Sequence, residues 1–322
     1  MRRVLVTGGA GFLGSSAVDA LAQHPDVELV VAGDVRTPAS VPDGVVVEQC
    51  DVTDAANVAA VVREHRIDTI VHLAAIVNPG GLSEDVEYLV DVEGTRNVLD
   101  AAVAFGVRRI VVSSSGAAYG YHADNPEWLV ETDGLRGNEE FSYSRHKRLV
   151  EEMLAGYRVA HPALGQVVLR IGTILGPSVA NQITALWDGP RILAIRGSDS
   201  PFVFVWVDDV VGAIVRGATG EVTGAFNVAG DGRMTVSEIA AALGKRTITV
   251  PPALLTLALR IGHATRLTVH GPERVGFLRY RPVLDNTRLK ADLGYTPAKT
   301  TREAFDAFLA ARAARVAAAS AR

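Results

Sequence analysis

The sequence predicts an α/β fold, a doubly wound parallel sheet with helices on both faces. Three observations carry this. Strand-like runs recur at Val4–Val6, Glu28–Gly33, Val45–Cys50 and Thr69–Leu73, separated by helical patterns. Such alternation builds a parallel sheet covered on both sides. The first run is followed at once by glycines at 8, 11 and 14, and the second ends in Asp34. A strand, a glycine turn, a helix and an acid about twenty residues on form a dinucleotide-binding unit.

Each element has its own reason. Gly8 allows the tight turn, Gly11 lets backbone approach a phosphate, and Gly14 lets the helix from Phe12 to about Gln23 lie close to the strand. The helix N-terminus, with Phe12 and Leu13, then offers N–H groups and partial positive charge to phosphates. Asp34 is placed to accept from the adenosine ribose hydroxyls. The third strand ends in Asp51-Val52-Thr53-Asp54, and the fourth runs into Ala74-Ala75. Pro79-Gly80-Gly81 reads as an exposed loop before a long helix from about Glu84 to Phe105. Gly94 sits inside that helix, where glycine costs about 1 kcal/mol against alanine, so it is expected to permit close packing. The fifth strand, Arg109–Val112, runs into Ser113-Ser114-Ser115, which face the ligand side of an open parallel sheet. A polar loop from Tyr121 to Asn138 leads to a helix spanning about 141–161. Tyr143 and Lys147 stand four apart near its start, on one face.

Composition sets bounds. The chain has 322 residues, 48% hydrophobic and 21% charged, with net charge −4, and gives no reason to invoke nucleic acid or an anionic membrane surface. No segment approaches the roughly 20 apolar residues of a membrane span. The apolar run behind Met1-Arg2-Arg3 breaks at Gly8, too short for a signal peptide. A lone Cys50 excludes an internal disulfide framework, suits a reducing cytoplasm and reads as a small buried side chain. No His/Cys/Asp/Glu cluster has metal-ligand spacing, so no metal is expected. The tail from Ala310 to Arg322 is helical by propensity.

With these motifs in place, the chain resembles the extended short-chain dehydrogenase/reductases, the group that includes the NAD-dependent epimerase/dehydratases. The resemblance rests on Thr7 through Gly14, Asp34, Asp51-Val52, His72-Leu73-Ala74-Ala75, Ser113-Ser114-Ser115 with Tyr119-Gly120, and Tyr143 through Lys147. Later matches are Leu169-Arg170 with Gly176-Pro177, Trp206-Val207-Asp208-Asp209, Phe226 through Gly230 and Leu293 through Pro297. It implies an NAD(P)-binding Rossmann domain over 1–176, with 203–230 returning to it, and a smaller C-terminal substrate-binding lobe over 177–322. In that lobe the apolar stretch Pro251–Ile261 reads as a core-packing helix, with a lid over an apolar substrate as the alternative.

Moving a hydride to or from an oxygen-bearing carbon requires a partner for the hydroxyl proton. A phenol with a pKa near 10 is a poor base at neutral pH, and a nearby ammonium favours its ionised form. Tyr143 is therefore the candidate acid/base and Lys147 its tuner. The resemblance also assigns Lys147 to the nicotinamide ribose, Ser115 to the substrate oxygen and Asn97 to holding the site together. His72 and His146 read as structural, and Asp208 and Asp209 as caps of the helix over 210–218.

Three functions follow: an oxidoreductase on a free alcohol or carbonyl, a UDP-glucose 4-epimerase-like sugar-nucleotide epimerase or dehydratase, and a nucleotide-sensing binding protein. The third predicts decayed catalytic positions, yet Ser115, Tyr143 and Lys147 are present. Sugar-nucleotide members usually carry an asparagine where this chain has Thr173, an arginine that Asp199–Phe204 lacks, and an asparagine where Asp91 stands. Arg191, Arg196, Arg274, Arg279 or Arg281 could supply the charge from elsewhere. The expectation is an NAD(P)-dependent oxidoreductase acting on a small, largely apolar alcohol or ketone. Asp34 favours NAD, while Arg36 leaves NADP open. A cytoplasmic location is expected, and the resemblance implies a homodimer with a four-helix interface built from the helices near 84–105 and 141–161.

Overall fold

The computed structural model describes residues 1–77, 81–179, 181–265, 268, 271–272 and 274–320. Of the loop expected at Pro79–Gly81, Pro79 and Gly80 lie outside the described residues, as do Ala321 and Arg322 of the expected helical tail.

The first half alternates strand and helix: β1 (Arg2–Thr7), α1 (Phe12–Ala22), β2 (Val27–Asp34), β3 (Val46–Gln49), α2 (Ala55–Glu64) and β4 (Thr69–His72). The long helix comes in pieces, α3 (Glu84–Tyr88) and α4 (Gly94–Ala104), joined by a π-helical turn over Leu89–Glu93. Then come β5 (Arg109–Ser115), α5 (Ser142–Ala160), β6 (Gly165–Ile171), β7 (Thr173–Leu175), α6 (Gln182–Ala185), β8 (Arg191–Ile195) and β9 (Phe204–Trp206). The chain continues with α7 (Val207–Thr219), β10 (Gly224–Val228), α8 (Val236–Ala242), β11 (Arg246–Val250) and α9 (Pro252–Ala264). It ends with α10 (Arg274–Arg279), α11 (Thr287–Ala291) and α12 (Thr301–Ser320).

Seven parallel strands form the main sheet in the order β10-β6-β5-β4-β1-β2-β3. The chain winds outward from β1 to β3, then returns to lay β4 on the other side of β1. That reversal opens a crevice at the carboxyl ends of β1 and β4, where such sheets bind ligands. Residues of the central strands are buried on both faces and divide by period 2. Val4 and Val6 pack with Ala17, Val18 and Leu21 of α1 and Ile214 of α7. Leu5 between them faces Val58 of α2, Leu99 of α4 and Leu154 of α5.

Beyond the sheet, Trp187, Phe202, Phe204, Phe305 and Phe308 form an aromatic core, with the Trp187 and Phe305 rings edge to face at 5.3 Å. Two small parallel pairs, β7 with β9 and β8 with β11, complete this region. The Pro251–Ile261 stretch forms most of α9, yet α9 has no buried residue, which corrects the core-packing expectation. No described element covers its outer face.

Candidate active site

The glycine turn is shaped by contacts that a side chain would destroy. Gly8 has φ of +73°, and a Cβ there would lie 2.8 Å from the Ala74 nitrogen. A Cβ on Gly14 would stand 2.0 Å from the Gly8 carbonyl oxygen. Glycine alone gives this turn its conformation and lets α1 start against β1. Gly11 caps α1 without a side chain, so the first N–H groups at Phe12, Leu13 and Gly14 have no side-chain acceptor at the cap. Gly8, Gly11, Phe12, Leu13 and Gly14 all line a cleft of about 710 Å³. A bare helix N-terminus on a cradle no Cβ could enter fits a pyrophosphate.

Asp34 ends β2 beside this turn. Its carboxylate accepts from the N–H of Ala10 and of Arg36, both at 3.0 Å, and Arg36 Nε approaches to 3.6 Å. Asp51 accepts from the N–H and hydroxyl of Thr53. Asn97 donates to the Val52 carbonyl at 2.8 Å, tying α4 to the loop after β3. Gly94 makes that approach possible, since a Cβ there would meet Val52 Cγ2 at 2.7 Å.

Below the cleft floor, His72 is fully enclosed between Thr7 and Thr95, at 2.7 and 3.0 Å. Thr95 uses its only proton on the Asp91 carbonyl, so His72 Nε2 donates to Thr95 and Nδ1 accepts from Thr7. Burial first, and the Lys147 charge second, push its pKa down to about 4, so it is neutral and structural.

The carboxyl end of β5 delivers the serines. Ser115 caps the short 3₁₀ turn Gly116–Tyr119 by accepting from the Ala117 N–H at 3.1 Å, which leaves its hydroxyl proton for a ligand. Ser114 donates to Glu151, which forms a buried fork with Arg170 Nε and Nη2 at 2.8–3.1 Å. Arg170 Nη1 in turn donates to Tyr119 Oη. Burial would lower the Arg170 guanidinium, but Glu151 outweighs it and the pKa stands above its usual value. This network fastens the β5 end to α5 and β6.

Helix α5 brings Tyr143 and Lys147 to the same wall. Lys147 Nζ donates to the Ser113 carbonyl at 3.0 Å and lies 5.7 Å from the Tyr143 ring centroid. The lining is otherwise largely aromatic and apolar, with Phe202, Val203, Phe277 and Leu284, and it includes Arg274 and Arg281. The Arg281 guanidinium lies over the Phe202 ring at 3.8 Å and donates to the carbonyls of Ser200 and Leu278. Burial pulls its pKa down to about 9.

A sequence profile of the NAD dependent epimerase/dehydratase family matches residues 4–229. The chain belongs to that family. An uncharacterized protein of Mycobacterium tuberculosis is 28% identical over 317 residues, covering 96% of this chain and 84% of its own length. The dTDP-glucose 4,6-dehydratase of Streptomyces griseus is 29% identical over 319 residues, covering 92% and 89%. The structure of the Thermus thermophilus UDP-glucose 4-epimerase in complex with NAD is 26% identical, with TM-score 0.69, and covers 95% of this chain and 98% of that one.

In this member of the NAD dependent epimerase/dehydratase family, Ser115, Tyr143, Lys147, Ala75 and the glycine turn all line one cleft. Asp34, Asp51, Val52 and Ala74 do not line it; Val52 packs in the sheet core, and Ala74 lies behind Gly8. Two features of the site leave no local signal in the sequence. Arg281 appeared only among several arginines, and its seat on Phe202 depends on the tertiary fold. Glu87 is buried at the cleft edge, accepting from the Ser142 hydroxyl at 2.7 Å, and no local motif announces it.

Proposed function

We propose that the chain is an NAD-dependent enzyme that moves a hydride at a hydroxyl-bearing carbon, with Tyr143 as proton acid/base. The observation that carries this is the meeting of Tyr143, Lys147 and Ser115 with the bare N-terminus of α1 on one cleft. The glycine turn would hold the pyrophosphate, Asp34 the adenosine ribose and Lys147 the nicotinamide ribose; Ala75 would line the cleft beside them, with Asp51, Val52 and Ala74 supporting that lining from behind. NAD, which the related Thermus thermophilus epimerase binds, supplies the hydride acceptor. Tyr143 takes the hydroxyl proton as the hydride leaves and returns it in the reverse step. The Lys147 ammonium stands 5.7 Å from the Tyr143 ring, and Ser115 donates to the substrate oxygen as charge develops there.

The substrate class follows from Arg281. Its guanidinium is enclosed at the cleft wall with carbonyl acceptors and no carboxylate partner among the described residues. An enclosed cation without a counter-ion is costly, and an anionic ligand would relieve that cost. Arg281 thus supplies, against Phe202, the charge that Asp199–Phe204 lacks in sequence. We read the substrate as a nucleotide-diphosphate sugar, handled by internal oxidation and reduction. A second reading, a small apolar alcohol or ketone, draws support from the wall of Ile174, Val179, Phe202, Phe277 and Leu284. One assay separates them. The enzyme is incubated with UDP-glucose and UDP-galactose, and NADH is followed separately against a panel of ketones and alcohols. Interconversion without net NADH supports the sugar-nucleotide reading; net NADH turnover on the panel alone overturns it.

Residues 1–176 with 203–230 form the cofactor-binding part in this account, and the rest of 177–322 the substrate side. A cytoplasmic homodimer is part of the same proposal. Val86, Tyr88 and Leu89, exposed along α3 and the π turn, support an interface there.

A further inference from the structure

We propose that α9 docks the protein onto an anionic lipid surface. This goes beyond the catalytic reading and does not depend on it. Leu254, Leu257 and Ile261 are 57%, 53% and 55% exposed, and their spacing sets them on one face of α9. Ala258 extends the stripe, and Ile248 of the adjoining strand β11 is also exposed. Contiguous apolar surface of this kind marks an interaction site.

Charge identifies the partner. From Ile239 to Pro272 the sequence contains Lys245, Arg246, Arg260 and Arg266 and no aspartate or glutamate. The net charge of −4 for the whole chain conceals this cationic stretch. Arg260 is exposed on α9 itself. Arg246 stands in register with Arg191 of β8, both exposed, on the small sheet that leads into the helix. Among the described residues none of these three arginines pairs with a carboxylate. An exposed apolar helix face flanked by unpaired cations suits the boundary between acyl chains and anionic headgroups. A second copy of the chain fits less well, because a two-fold contact through this face would set like charges together. No described helix is long and apolar enough to cross a membrane, so the contact is interfacial. α9 also packs against α10, which supplies Arg274 and Phe277 to the cleft, so one helix separates the docking element from the cleft.

The test uses the full chain and two kinds of vesicle, pure phosphatidylcholine and an equal mixture of phosphatidylcholine with phosphatidylglycerol. The wild type is expected to co-sediment with the mixed vesicles only, and added salt should release it. The double variant Leu254→Gln/Leu257→Gln should lose most of that binding, as should Arg246→Glu/Arg260→Glu, with circular dichroism confirming that both are folded. Leu257→Trp should show a blue-shifted emission on the mixed vesicles and none without lipid. Absence of wild-type binding, or equal binding by the folded double variants, overturns the proposal. A concentration-dependent blue shift of the tryptophan variant without vesicles also overturns it, assigning the face to a second copy.

Discussion

Asp91 and His146 face each other at 3.5 Å, Oδ2 to Nδ1, in a space closed to solvent. Asp91 Oδ2 and both His146 nitrogens have no hydrogen-bond partner among the described residues. Asp91 Oδ1 meanwhile accepts from the Ile76 N–H at 2.8 Å, and Ile76 lines the cleft. Asp91 lies in the π turn, an irregularity common at functional sites. His146 directly precedes Lys147 on α5, and Tyr88 meets its ring edge to face. The pair thus joins the segment after β4 to the helix that carries Tyr143.

Asp91→Ala should deprive the part-buried Ile76 N–H of its acceptor and lower stability by about 0.5–1.5 kcal/mol. Asp91→Asn keeps the accepting oxygen and should retain most of that stability. Urea unfolding of the two variants checks this; equal losses would show that the Ile76 contact is not what Asp91 contributes.

Gly14→Ala should weaken NAD binding or the fold itself. The added Cβ meets backbone that cannot swing aside, at 2.0 Å from the Gly8 oxygen. Overpacking of this kind costs about 1–3 kcal/mol, about fivefold to 150-fold in affinity where the strain falls on the cradle. Titration calorimetry with NAD measures it, and wild-type affinity in the variant would contradict the proposed pyrophosphate cradle.

His72 should make the fold acid-sensitive. The unfolded chain protonates this imidazole near pH 6.5, while the folded chain resists until about pH 4. More protons then bind the unfolded state across that window, so stability falls as pH falls. The loss should approach about 3 kcal/mol at the lower end. His72→Gln should have a shallower dependence between those pH values, read from urea unfolding at several pH values. Identical slopes would place the proton elsewhere.

Arg281→Met should separate the two substrate readings. If the guanidinium pairs with a diphosphate, the variant should lose about 2–5 kcal/mol of affinity for UDP alone. NAD affinity should change little. Unchanged UDP binding would leave the apolar-substrate reading in possession of the cleft.

The nucleotide-binding half was legible because its signals are local. Val4, Leu5 and Val6 alternate between the two faces of a sheet, and the glycines at 8 and 14 occupy positions where a Cβ would strike backbone. The grouping of Tyr143 with Lys147 followed from one helical turn. Pairing between distant segments leaves no such trace. Asp91 looked only like a departure from a pattern until the fold set it against His146, and Arg281 gained meaning only on Phe202. The π turn could not be read either, since one wider turn hardly alters the helical spacing. The exposure of α9 leaves no trace for a related reason: an apolar period shows that a face is hydrophobic, not what covers it.

In the proposed reaction Tyr143 transfers the proton and does not hold the cofactor. Tyr143→Phe removes the hydroxyl and keeps the ring beside Lys147. The direct measurement is turnover of the variant on an established substrate, alongside NAD affinity by calorimetry on the same preparation. A loss of about 10²–10⁴-fold in kcat is expected, with NAD affinity within a factor of about 3 of the wild type. Near-wild-type kcat in the variant would contradict it.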